Sequence, residues 1–333
     1  MRALVAALVG LLAGVQTARA ADVQGCLASL REEALAAGVR PATFRRLTRG
    51  LQPDMKVLAR LDSQPELASP VQDYLSAVVS EERIATGRRM LTKWQATLGA
   101  IAERFGVDAE TVVAVWGVES FYGRRQGKRP LVRSLATLSC HGRRQAFFRG
   151  ELVALMKLVD AGDVAARGLK GSWAGAFGQT QFMPSTYERL AVDLDGDGRR
   201  DLVRSVPDAL ASCANFLARS GWHPGEPWGY PVSVPVDFDA SLAGRSNRRP
   251  LGDWGVLGVR RLDSQALDGP PLAALLLPQG AGGPAFLAFS NFDALFAYNN
   301  AESYALATAL LADRLREASA QASPGTRVSR NRR

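Results

Sequence analysis

The placement of proline constrains this chain more than any other feature. Nine of the 17 prolines fall between Gly221 and Ser290. Proline lacks the backbone N–H and clashes with the preceding helical turn, so no long helix can occupy that stretch. The same stretch carries short apolar runs (Val232, Val234 and Val236, then Ala285 to Phe289) that read as strands. From Ala21 to about Ser220 the pattern is helical instead. Val71 to Ala102 repeats apolar residues at three- and four-residue spacing, with Gly87 as the expected break. Asp108 is placed to cap a helix running through Thr111, Val112, Val115 and Trp116 to about Glu119. Arg144 to Val159, Pro207 to Arg219 and Asn300 to Leu315 are further amphipathic segments. The expected class is mainly α (α+β): additional N-terminal helices, a helical core over about 94–220 and 290–317, and a small β-containing insertion over about 228–289. Residues 318–333 carry Ser, Ala, Pro and four Arg without an apolar pattern and are expected to be a disordered basic tail.

With 333 residues, 47% of them hydrophobic, the chain can bury a sizeable core. Three Cys and two His exclude a zinc ribbon, an iron–sulfur protein or a disulfide scaffold. A net charge of +9 favours a polyanionic partner. Met1–Arg2, the apolar run Ala3 to Val15 and the small-x-small site Ala18-Arg19-Ala20 read as a signal peptide, 1–20. No later segment is long and apolar enough for a membrane span. Val23 to Cys26 is a poor lipoprotein box, because Arg19 and Asp22 separate it from the apolar run, so no lipid anchor at Cys26 is expected. Cys140 and Cys213 both lie in helical patterns and are candidates to pair, the alternative being three free thiols.

Glu119 is the most informative residue. On a helix it shares a face with Val112 and Trp116, and Phe121 and Tyr122 follow it. A carboxyl among apolar and aromatic walls has a raised pKa and serves as a general acid towards a poor leaving group such as a glycosidic oxygen. It is the only carboxylate between Thr111 and Gly150. Gly117 and Gly123 would admit close backbone or substrate approach, and Gly123 could end the helix. The competing reading is a helix-end Glu paired with a nearby Arg. A second cluster, Gly171 to Ser185, alternates small residues with aromatics and amides, which suits a groove wall or a glycine-rich turn. Further on, Asp193, Asp195, Asp197 and Asp201 with Gly196 follow the start of an EF-hand loop, although Arg204 replaces the closing Glu and Asp208 is the nearest later carboxylate. A plain turn held by Asx hydrogen bonds is the alternative.

Trp116-Gly117-Val118-Glu119-Ser120, Ser172-Trp173-Ala174-Gly175-Ala176 and Gln179-Thr180-Gln181-Phe182-Met183-Pro184-Ser185 resemble the membrane-bound lytic transglycosylase B family of bacterial peptidoglycan-cleaving enzymes. Leu135-Ala136-Thr137-Leu138, Gly142-Arg143-Arg144 and Tyr298-Asn299-Asn300 extend the resemblance over roughly Val23 to Leu315. It implies a lysozyme-like catalytic domain over 21–317 and a periplasmic location. It also implies Glu119 as sole acid/base, cleaving between N-acetylmuramic acid and N-acetylglucosamine to leave a 1,6-anhydro end without consuming water. A hydrolytic muramidase and a non-catalytic wall-binding protein are the rivals. By the same resemblance Ser172, Gln181, Tyr298, Asn299, Phe177 and Met183 line the saccharide groove, and Arg143 and Arg144 meet the lactyl or peptide acids. The family also implies a structural calcium on Asp193, Asp195, Asp197, the Arg199 carbonyl and Asp208, with no cofactor needed for the chemistry. The partners it implies are glycan strands and wall synthesis or remodelling proteins, with a monomer expected and no nucleic acid.

Overall fold

Side-chain caps set several helix starts. Asp108 accepts a hydrogen bond from Thr111 N at 3.1 Å and from Thr111 Oγ1 at 2.8 Å, and Ser80 accepts from Arg83 N at 3.4 Å. The computed structural model describes residues 25–63, 70–280 and 282–322; the expected signal peptide and residues 323–333 lie outside them. In chain order the elements begin with α1 (25–36), α2 (Pro41–Thr48), α3 (Lys56–Ser63), α4 (Val71–Val78), α5 (Glu81–Lys93), α6 (Gln95–Phe105) and α7 (Ala109–Ser120). A short strand β1 (Arg129–Pro130) precedes α8 (Leu131–Cys140) and α9 (Gln145–Ala161), followed by β2 (Lys170–Gly171), α10 (Pro184–Leu190) and α11 (Val206–Arg219). The proline-rich stretch holds β3 (Gly229–Ser233), β4 (Arg248–Pro250), α12 (Leu251–Val256), β5 (Arg260–Arg261), β6 (Leu272–Leu276) and β7 (Ala285–Ala288). Last come α13 (Ser290–Asn299) and α14 (Glu302–Ala322). The fold is mainly helical with small sheets, as the proline distribution and helical periodicity require.

Four local expectations need correction. Gly87 does not break a helix; it sits inside α5, and the breaks fall at Val79–Ser80 and at Trp94. A Cβ on Gly87 would meet Tyr122 Oη at 2.6 Å and Leu315 at 2.7 Å, so this glycine makes room for neighbours. Helix α7 ends at Phe121 rather than Gly123, with Phe121 and Tyr122 both left-handed (φ 50° and 59°). The alternating valines form a strand only as far as Ser233, leaving Val236 fully exposed. Finally, the expected tail begins as helix, because α14 continues through Ala322.

The described residues group into two units, each discontinuous in sequence: one within Met1–Ala68 and Gly123–Ala209, the other within Ser69–Tyr122 and Leu210–Arg333. In the first, α9 packs against α8, α10 and α2. Buried Glu151 on α9 accepts from Ser185 N at 2.9 Å and Ser185 Oγ at 2.7 Å, satisfying a donor in the first turn of α10. Cys26 on α1 is disulfide-bonded to Cys140 at the end of α8, with Cα atoms 5.7 Å apart, so the Cys140–Cys213 pairing is wrong. Cys213 is a buried free thiol enclosed within α11 and hydrogen-bonded to Tyr298.

In the second unit α7 packs against α14, α5 and α6. Val112, Val113, Ala114 and Val115 are all fully buried, so the helix is enclosed around its whole circumference and has no single core-facing stripe. The antiparallel sheet, in the order β4-β6-β7-β3-β5, encloses Trp254, whose Nε1 donates to Ala273 O at 2.9 Å. Strand β7 runs almost directly into α13. The start of α13 is fixed by buried Asn291, which accepts from His223 N at 2.7 Å and donates to the carbonyls of His223 (2.9 Å) and Glu226 (2.7 Å). Asp293 adds ion pairs to Arg245 (3.1 Å) and Arg248 (2.5 Å) of the β-containing part.

The Cys26–Cys140 bridge spans 114 residues, a loop for which the chain-entropy account gives stabilisation of about 5 kcal/mol. Cys26→Ser is therefore expected to lose about that much in urea unfolding. Reduced wild type should superimpose on the variant's curve, and titration of the unreduced, unfolded chain should find one thiol, Cys213.

Candidate active site

Glu119 occupies the last turn of α7, where the unpaired carbonyls and the negative end of the helix dipole disfavour a carboxylate. The end of the helix is closed by other groups. Phe121 N donates to Gly117 O at 3.1 Å and Tyr122 N to Trp116 O at 3.3 Å. Arg83 Nε also donates to Gly117 O at 3.2 Å, while its Nη1 bonds Ala77 O (2.8 Å) and Val78 O. One guanidinium thus ties the end of α4 to the end of α7, and it lies 5.3 Å from the Phe121 ring centroid. The Tyr122 phenol folds back over Gly117, where a Cβ would sit 2.7 Å from its hydroxyl. That hydroxyl donates to Arg83 O at 2.7 Å, and the ring stands edge-on to Trp116 at 5.5 Å. Gly117 therefore accommodates Tyr122, not substrate.

Glu119 is half-buried. Its hydrogen-bond partner is the Tyr304 hydroxyl, 2.5 Å from Oε1. Among the described residues no Arg pairs with it, which removes the structural-pair reading. Desolvation pushes its pKa up from the ordinary 4.5 to about 8, even though the Tyr304 bond pulls in the opposite direction. At neutral pH the carboxyl therefore holds its proton. Tyr304 is buried in the first turn of α14, and its ring lies nearly parallel to Tyr298 at 6.2 Å. Left-handed Asn300 (φ 52°) makes the turn from α13 into α14 that permits this stacking. Tyr298 in turn lies 4.6 Å from Phe216. The Tyr74 and Cys213 ionisations are raised first by burial and then by the Glu119 charge, so both groups stay neutral around the acid. Chemically, this is a proton donor in a low-dielectric aromatic pocket, with one hydroxyl able to hold the anion left after proton release.

The transglycosylase SLT domain family matches residues 22–313. The chain belongs to that family. Its sequence is 30% identical over 248 residues to Escherichia coli (strain K12) membrane-bound lytic murein transglycosylase B, covering 70% of this chain and 64% of that protein. The chain thus spans under two thirds of that relative's length. The structure is similar to Pseudomonas aeruginosa SltB3 bound to NAG-anhNAM-pentapeptide, with TM-score 0.85 and 45% identity over 88% of this chain and 79% of that one. It is also similar to Escherichia coli Slt35 in complex with calcium, with TM-score 0.79 and 27% identity over 89% and 94% of the two chains.

Within this SLT-domain chain the expected site residues divide between the two units. Glu119, Tyr298 and exposed Asn299 belong to the second. The first holds the remainder, and several of those side chains already serve the protein itself. Ser172 Oγ accepts from Ala176 N at 3.0 Å; Gln181 Nε2 donates to Gly178 O at 2.8 Å and Gln126 O at 3.3 Å. Each keeps one further hydrogen-bonding capacity: the Ser172 proton and Gln181 Oε1. Phe177 is fully buried and stacked on Tyr187 at 5.2 Å, so it is core and not a groove wall. Half-buried Met183 lies against Gly175, where a Cβ would be 3.3 Å from its methyl group and 2.4 Å from Leu135. Gly171 likewise has no room for a side chain, with Ala176 O only 2.5 Å from a Cβ. The glycines of this loop are thus required by internal packing. Arg143 and Arg144 are exposed; Arg143 donates to Leu61 O at 3.0 Å, and Arg144 lies 4.3 Å from the Phe147 ring centroid.

The acidic loop brings carboxylate oxygens of Asp193, Asp195 and Asp197 within 4.8 Å of one another, an all-oxygen donor set that suits a hard divalent cation. Asp208 is outside that group: buried, it accepts from Leu194 N (2.8 Å), Asp195 N (3.4 Å) and Asp201 N (2.9 Å), holding the loop's backbone. Tyr304 escaped sequence reading. The signal was a second tyrosine six residues beyond Tyr298, across a helix-ending Asn300.

A carboxyl whose pKa rises on folding stabilises the fold below its unfolded value of 4.5, and that stabilisation is lost as pH climbs through about 8. Glu119→Gln removes the penalty. The variant is expected to be more stable than wild type at pH 8, by about 4 kcal/mol, with the gap closing towards pH 4 when melting is followed across that range.

Proposed function

We propose that this chain is a periplasmic lytic murein transglycosylase whose catalytic domain spans residues 21–317. The observation that carries the reading is the desolvated, protonated carboxyl of Glu119 against the Tyr304 hydroxyl. In this reading Glu119 gives its proton to the oxygen of the β-1,4 bond between N-acetylmuramic acid and N-acetylglucosamine, and the C1–O bond breaks. The Tyr304 hydrogen bond stabilises the carboxylate that remains. That carboxylate then takes the proton of the C6 hydroxyl as O6 bonds to C1, closing a 1,6-anhydro ring and restoring the acid with no water consumed. The 2-acetamido group of the same sugar assists, so no second protein carboxylate is required. Ser172, Gln181, Met183, Tyr298 and Asn299 are the proposed glycan contacts, with Arg143 and Arg144 for lactyl or peptide carboxylates.

The chemistry needs no cofactor. Asp193, Asp195 and Asp197 would hold a calcium ion, with the Arg199 carbonyl as a further ligand and Asp208 bracing the loop from behind. The ion's role there is to neutralise three clustered carboxylates. Glycan strands are the proposed substrate and wall-remodelling proteins the proposed partners of a monomer.

Digestion of purified sacculi tests the reaction. Products should be lighter by one water than those of a muramidase, and Glu119→Gln should lower turnover at least 1,000-fold (~4 kcal/mol). Reducing ends of full mass, or undiminished turnover in the variant, would falsify the proposal. Turnover should decline as pH rises through about 8, where Glu119 loses its proton. In Tyr304→Phe that decline should move to higher pH, because the lost bond favoured the anion, while the maximal rate falls. Calcium should raise the thermal midpoint of wild type and leave Asp195→Asn unmoved, with turnover at 25 °C little changed in either.

A further inference from the structure

Two concavities of the first unit share Gly162, Val164, Ala165, Arg167 and Arg199 and so form one cleft, about 190 Å³ in its smaller part and about 560 Å³ in its larger. Five cations line it: Arg46 of α2, Arg167 beyond α9, Lys170 of β2, and Arg199 and Arg204 between α10 and α11. All five are exposed, and none of their side chains has a hydrogen-bond or ion-pair partner among the described residues. Like charges gathered around one hollow repel one another, and a bound anion relieves that repulsion. The acids of the cleft do not. Asp163 is buried in its pair with Arg200, and Asp201 Oδ1 accepts from Val203 N at 2.9 Å and Arg204 N at 3.0 Å. The carbonyls at the end of α9, which would repel an anion, are covered as well. Val159 O accepts from Gly162 N at 3.3 Å, and Leu158 O from Asp163 N at 3.1 Å and Val164 N at 3.4 Å.

The main chain adds donors. Arg167 and Gly168 both line the cleft, Gly168 is left-handed (φ 75°), and the N–H groups of both have no partner among the described residues. Successive free N–H groups at such a turn make an anion-binding concavity. The shape of the donor set selects the anion. A carboxylate is planar, and its pair of oxygens is matched by a single guanidinium fork. A phosphate monoester carries roughly two charges on terminal oxygens set tetrahedrally, so forks from different chain segments and main-chain N–H groups can bind it together. We propose that this cleft binds a phosphate monoester, with Arg167 and Arg199 where its two parts meet and Arg46, Lys170 and Arg204 around them. The cleft lies within the first unit and Glu119 in the second, so the proposal stands without the catalytic reading. Such an ester can come from a lipid headgroup or from a soluble sugar phosphate, and the same contacts serve both.

The test titrates the full chain with glucose 1-phosphate by calorimetry, with succinate as a dicarboxylate of similar charge. Arg167→Ala should weaken binding of the phosphate about tenfold and Arg46→Ala/Arg167→Ala about a hundredfold, since each removes a charge-assisted contact. Arg45→Ala, on the same helix but outside the cleft lining, should bind as wild type does. The substituted side chains are exposed and unpartnered, so thermal midpoints without ligand should be unchanged. Equal affinity in the double variant, an equal loss in Arg45→Ala, or succinate binding as tightly as the phosphate would overturn the proposal. Phosphatidylcholine vesicles with and without phosphatidic acid identify the source. Sedimentation of wild type, but not of the double variant, with the phosphatidic acid vesicles makes the ligand a headgroup; phosphate binding without sedimentation makes it a soluble ester. No binding to either probe overturns the site. Glu119→Gln should bind glucose 1-phosphate normally, so failure of the cleft and failure of the catalytic reading are separately visible.

Discussion

A helix buried on every side must end somewhere, and the exit of α7 governs the chemistry of the second unit. Valines and Trp116 fill its circumference, so the polar groups at its C-terminus cannot all turn to solvent. Arg83 answers part of this need by binding Gly117 O, and the chain answers the rest by reversing through Phe121 and Tyr122. Two consecutive left-handed aromatic residues cost on the order of 1 kcal/mol each. The contacts that hold them are the Tyr122 bond to Arg83 O, its edge on Trp116, and the room left by Gly87 and Gly117. The strain begins two residues after Glu119, and the same packing strips water from its carboxyl.

The electrostatic consequence is a compromise between two opposed demands. In the proposed reaction the acid must keep its proton at neutral pH, which burial ensures, yet it must also survive as an anion once the proton has left. The Tyr304 hydroxyl serves the second demand without defeating the first, because a neutral donor moves a carboxyl less than a buried cation would. Placement of that hydroxyl depends on α13 and α14, and hence on the sheet. Asn291 and Asp293 fasten the start of α13 to the proline-rich region, and Asn300 turns the chain so that Tyr298 and Tyr304 stack. The small β-containing part is thus a brace for an aromatic wall.

Much of this was legible in advance. Proline positions located the sheet, and Asp108 located the start of α7. The flanking aromatics marked Glu119 as an acid whose proton would be hard to remove. The misses have a common cause. Glycine at 87, 117, 171 and 175 reads from sequence as a break or a ligand-facing gap, whereas in space each makes room for a particular neighbour many residues away in the chain or across a turn. Phe177 looked like a stacking surface because its burial depends on Tyr187 reaching it from α10. Tyr304 was invisible because its role needs the end of α7 and the start of α14, 185 residues apart, to meet. Pairing of the cysteines likewise turned on which helices α8 touches, and periodicity carries no such information.

The order of the three cysteines has its own consequence during biosynthesis. Cys26 is made first and its proper mate comes 114 residues later, roughly ten seconds at ordinary rates of elongation. Cys213 follows 73 residues after Cys140, so the correct pair exists before any competitor does. A nascent chain that meets an oxidant in this interval has only one crosslink open to it. Shuffling would require the third thiol to emerge early or its burial to fail, and the linear arrangement of the gene product guards against the first while the packing around α11 guards against the second.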